Sequence, residues 1–227
     1  MFNSLLLLFF LALASAPALA LWSAGGIPVK VRAGLVTAAL FISSLLVIFK
    51  FLKKTGMNYS EIGLKPPHKE TLKRDALLLV SGTLACLLWL HLYFSAFKML
   101  LPAEYARLEA LKYSGYIQFL AEWGRTGGLP GAAALCLGML LLVAAEELAF
   151  RGMVFNLLRR EYSLKGALLW SSALFTLAHL NPHNFPISFG VGLLLGLLYV
   201  KSGGLAVPIS AHLAYNLAVI YLGRYMQ

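Results

Sequence analysis

The chain has 227 residues, of which 60% are apolar and only 12% charged, with a formal net charge of +10. A soluble domain carries about a quarter charged residues, and a fold of this size has no room to hide so much apolar surface from water. Intrinsic disorder and a small water-soluble enzyme are thereby excluded, and a polytopic membrane protein fits.

Apolar stretches follow one another along the chain, at about 4–22, 33–52, 76–97, 130–158, 166–180, 185–200 and 205–221. Lipid offers no hydrogen bonds to the backbone, and these runs lack the alternation of barrel strands, so helices are expected. The fold class is an all-α transmembrane bundle of about seven spans. The first stretch carries a small-residue site at Ala18-Leu19-Ala20, but no Lys or Arg precedes Lys30. A retained helix is therefore expected rather than a cleaved signal peptide. Between the second and third stretches stand Lys53, Lys54, Lys65, Lys69, Lys73 and Arg74. This connector is expected to be cytoplasmic, and alternation then puts Arg159, Arg160, Lys165 and Lys201 on the same side. The N-terminus falls inside and the C-terminus outside.

Residues 101–126 form a polar connector in which Tyr105, Leu108, Leu111, Tyr116, Phe119, Leu120 and Trp123 recur at roughly helical spacing. An interfacial amphipathic helix and a surface loop both fit it. Residues 1–129 thus comprise N-terminal spans, a basic loop and an amphipathic connector. The fourth stretch is long, and the fifth to seventh are short against the roughly 20 residues of a full span. In the sixth, Gly192 and Gly196 form a GxxxG pair suited to close packing. Cys86 and Cys136 lie in apolar runs with no CxxC spacing, and both are expected to be buried, inert side chains. The basic residues sit in connectors, so anionic lipid, not nucleic acid, is the expected partner.

The informative residues are charges inside apolar runs. A carboxylate at the bilayer centre costs about 2.5–3.5 kcal/mol even on lenient insertion scales. Glu146 and Glu147 lie side by side within the longest run. Arg151, four residues after Glu147, shares its face, and this reads as a structural ion pair. Glu146 points about 100° away and is left over. His179 closes the fifth stretch one turn after Phe175, and His212 lies one turn before Asn216 in the seventh. Helix rise puts Glu146, His179 and His212 about 18, 21 and 14 Å from the basic side, depths that permit one shared polar cavity.

In this order the residues resemble the CAAX-protease and bacteriocin-processing (CPBP, or ABI) family of intramembrane proteases, of the type 2 CAAX prenyl protease kind. Its motif EExxxR is matched by Glu146, Glu147 and Arg151, its FxxxH by Phe175 and His179, and its HxxxN by His212 and Asn216. The resemblance spans about residues 130–220, which are read as the catalytic core. It implies a helical bundle with a polar cavity open to one membrane face. It also implies cleavage of membrane-associated peptides, with prenylated CAAX-type proteins one candidate substrate.

Amide hydrolysis needs an activated water and donors for the oxyanion. In one version Glu146 and His179 activate water, while His212 and Asn216 donate to the oxyanion. Glu147, Arg151 and Phe175 then support the fold, and no cofactor is needed. In the other version Glu146, His179 and His212 ligate zinc, leaving one position for water. No HExxH pair stands on one helix, and the metal-free version is preferred. A proton-coupled transporter would also place these groups at mid-membrane, and a non-proteolytic scaffold or immunity protein could keep them as a buried network. Expected partners are lipid and a peptide or lipidated-protein substrate, and the expected location is a bacterial cytoplasmic membrane.

Overall fold

The computed structural model describes residues 26–66, 69–105, 122–179 and 184–222. The expectations for the first apolar stretch, and for most of the 101–126 connector, fall outside them. Among the described residues the chain is helical and contains no strand. Helix α1 is Val29–Thr55, α2 is Leu72–Leu100 and α3 is Gly128–Glu147. A π-helical segment, Leu148–Phe155, continues α3 directly into α4, Asn156–Glu161. Then come α5 (Leu164–Ala178), α6 (Phe185–Ser202) and α7 (Ala206–Leu222).

Among the described residues, four stretches are long and apolar enough to cross a membrane: 34–55, 69–100, 128–161 and 185–202. Helices α5 and α7 are apolar but shorter. The protein is a multi-pass, all-α membrane bundle. Its outward surface is apolar, with Leu77 and Leu88 of α2 and Leu137 of α3 more than half exposed. In lipid such side chains carry no hydrophobic penalty, so their exposure costs the bundle nothing.

The helix ends follow local chemistry. Ser163 caps α5 by accepting the Gly166 N–H at 3.2 Å. Helix α6 starts with Pro186 in its first turn and stops at Gly203, whose φ of 73° is left-handed. The basic connectors meet at one face. The Leu205 N–H donates to the Gly63 carbonyl (3.0 Å), Arg74 to the Ser202 carbonyl (3.1 Å) and Asn156 to the Glu61 carbonyl (3.0 Å). Ile62, in the first of these connectors, is fully buried under the π segment and helps seal that face of the core.

Helix α6 is central, packing against α2, α5 and α7, while α7 also touches α2 and α3. The GxxxG pair faces α5. A Cβ on Gly192 would meet Phe175 Cδ1 at 3.2 Å, and one on Gly196 would meet Leu168 Cδ2 at 2.9 Å. One expectation is corrected: Cys86 is buried, but Cys136 is exposed. Leu135 and Met139 take the inward stripe of α3, and Cys136, about 100° round from Leu135, faces outward.

Candidate active site

The π segment lies just past the two glutamates. Such wide turns inside α-helices concentrate at functional sites and need their carbonyls re-satisfied. Asn156 does this, donating to the Gly152 carbonyl at 2.8 Å. All eight residues of the segment are buried. Sequence periodicity gave no signal for the π turns, because apart from Arg151 the stretch is apolar.

Glu147 and Arg151 are the most deeply buried charges here, with side chains 0% and 2% exposed. Arg151 Nη1 donates to Glu147 Oε1 at 2.8 Å, and Nη2 donates to the Gly192 carbonyl of α6 at 2.8 Å. Its guanidinium also lies over the Phe175 ring, 4.6 Å from the centroid. Phe175 is therefore a hub. It packs edge-on to Phe150 (5.1 Å between centroids), against His179 (4.5 Å) and near His212 (6.1 Å). A buried ion pair holds only when its remaining lone pairs and protons find partners, and here the carbonyl and the ring supply most of them.

The pairing of Glu147 with Arg151 matches the sequence reading, but Glu147 has a second partner. His212 Nδ1 lies 2.8 Å from the same Oε1 atom, reaching across from α7. The other oxygen, Glu147 Oε2, is buried without a hydrogen bond. No spacing rule links Glu147 to His212, 65 residues apart, so sequence reasoning missed the contact.

Glu146 points elsewhere, as its helix position predicts. Its side chain is 39% exposed, and its Oε2 lies 3.8 Å from His212 Nε2. That gap is too long for a hydrogen bond, but one water could touch both atoms. His179 stands at the C-terminal end of α5, exposed, its Nδ1 2.8 Å from the Phe175 carbonyl. A carbonyl only accepts, so Nδ1 carries the proton and Nε2 of the neutral ring keeps its lone pair. Asn216 follows His212 by one turn and is half-buried. Among the described residues it makes no hydrogen bond to the other three. The structure thus gathers Glu146, Glu147, Arg151, Phe175, His179 and His212, and leaves Asn216 beside them.

The donor chemistry of the two histidines would suit a metal, since each has its Nδ1 occupied and its Nε2 free. The grouping does not. Among the described residues no three His, Cys, Asp or Glu side chains stand close enough to hold an ion.

Apolar helices thus enclose a carboxylate–histidine cluster in a membrane protein. A family model described as type II CAAX prenyl endopeptidase Rce1-like matches residues 129–218, which include all seven motif residues. Over this stretch the chain is similar to that family of endopeptidases. No curated protein and no solved structure matches the chain.

Proposed function

We propose that the protein hydrolyses a peptide bond of a membrane-associated substrate with water as the nucleophile and no metal. Glu146 and His179 bind and deprotonate the water; His212, with Asn216, donates to the oxygen of the tetrahedral intermediate. The observation that carries this reading is the 3.8 Å approach of Glu146 Oε2 to His212 Nε2, beside a His179 ring that shares the Phe175 hub. Glu146 is open enough to meet a substrate, and His179 keeps an unprotonated nitrogen for the incoming proton. The family description favours a prenylated CAAX-type C-terminus as the first substrate to try.

The test uses purified full-length protein in detergent with plain and prenylated peptides. Glu146→Gln and His179→Ala should each abolish cutting while the protein stays folded. Normal cutting by both variants would remove the catalytic assignment. Activity that survives chelation in a preparation free of metal supports the water-only mechanism; loss restored by zinc would replace it with Glu146, His179 and His212 as ligands. Intact substrates in every assay would favour a scaffold, and proton flux in liposomes a transporter.

A further inference from the structure

The proposed chemistry uses His212 but leaves Glu147 as a brace for Arg151. A brace needs only Arg151, yet Glu147 Oε1 is shared at 2.8 Å by Arg151 Nη1 and His212 Nδ1. We infer that Glu147 is the positioning residue of His212, fixing which nitrogen of that ring faces the reaction centre and which proton it holds. This rests on the reading of His212 as a group at the site.

The argument starts from rigidity. Arg151 is held by Glu147, by the Gly192 carbonyl and by the face of Phe175, so it cannot swing away. The Glu147 carboxylate, fully buried against it, is fixed in turn. A carboxylate paired with an arginine accepts hydrogen bonds only, so the partner nitrogen, His212 Nδ1, is the donor and carries a proton. Nε2 is then the nitrogen turned toward Glu146 Oε2. The His212 ring is buried, and Phe175 stands beside it at 6.1 Å. With Nδ1 holding the first proton, any proton that Nε2 shares with a substrate oxygen is a second one. Glu147 supplies the negative charge opposite which that doubly protonated ring forms. A buried acid that holds the tautomer of a working histidine without touching substrate is a known division of labour, and it makes that histidine's output sensitive to loss of the carboxylate.

The experiment combines kinetics with histidine NMR on the full-length protein in detergent, labelled with 15N in the imidazole rings. The His212 signals are those missing from a His212→Asn sample. In the wild type they should show a proton on Nδ1. In Glu147→Gln the amide can donate to Nδ1, and the proton should move to Nε2. On the fastest-cut peptide, kcat should fall at least about tenfold while KM is unchanged. Because Glu147→Gln leaves Arg151 buried without its counter-charge, Glu147→Gln/Arg151→Met is tested beside it. That pair removes both charges, should keep the fold and should show the same kinetic loss. Glu147→Asp should restore part of kcat.

Unchanged His212 signals, an unchanged kcat, or a change in KM alone would overturn the inference. A wild type that cuts no peptide sinks the hydrolase reading itself. The NMR measurement needs no substrate, so the Glu147–His212 contact is then judged on its own.

Discussion

The cluster has two halves built from adjacent residues of one helix. Glu147 is fully buried, shares one oxygen between two donors and sits behind Arg151, Gly192 and Phe175. Glu146 is 39% exposed, and its contact in the cluster is the 3.8 Å approach to His212. His179 resembles Glu146: exposed, at a helix end, with one nitrogen tied to its own helix and the other free. Inside lipid a charge survives either by being saturated with partners or by facing a wet or substrate-filled space. The inner half takes the first solution and so fixes geometry. The outer half takes the second and so keeps reactive atoms available.

If that division is right, substitutions in the two halves should separate activity from stability. The largest effect belongs to the outer half. Glu146→Gln should lower peptide cleavage by about two to four orders of magnitude, the range for losing a general base. It should leave thermal unfolding in detergent within about 0.5 kcal/mol of wild type, because a half-exposed carboxylate with no hydrogen bond supports little. A large loss of stability would show that Glu146 belongs to the inner half.

The inner half should answer in reverse. Arg151→Ala strands a buried carboxylate and should destabilise the fold by about 3–5 kcal/mol, read from unfolding in mixed detergent. Glu147→Gln/Arg151→Met should return most of that stability, since neither charge remains. Failure of the double variant to recover would mean that the Gly192 and Phe175 contacts of Arg151 matter more than its charge.

A smaller effect tests the packing beneath both halves. Gly192→Ala puts a methyl 3.2 Å from Phe175 Cδ1 and should cost about 1–3 kcal/mol, as overpacking does. Because Phe175 touches both His179 and Arg151, cleavage should drop along with stability. The smallest expected effect serves as a control remote from the cluster. Ser163→Ala removes the cap of α5 and should cost about 1 kcal/mol with no change in cleavage by the folded fraction.

Much of the bundle was legible in the sequence. The apolar stretches at 76–97, 166–180, 185–200 and 205–221 lie within four residues of α2, α5, α6 and α7 at either end, because length and hydropathy suffice to mark a helix in lipid. The polar intruders Glu146, Glu147, Arg151, His179 and His212 stood out because each breaks an apolar run, and helical spacing paired Glu147 with Arg151 correctly. Spacing could not place Cys136 on the outer surface, since an apolar helix shows no inward stripe when both of its environments are apolar.

What the sequence by itself determined is the class of molecule, since that depends on the cost of moving each side chain out of water. Tertiary structure alone decided the rest. It wound Leu148–Phe155 into a π segment, made Phe175 the hub between two histidines and gave one oxygen of Glu147 to both Arg151 and His212. Those contacts join helices α3, α5, α6 and α7, and they depend on how neighbouring helices are turned and staggered against one another. In lipid that arrangement comes from close packing and shared hydrogen bonds rather than from hydrophobic burial, so hydropathy carries no record of it.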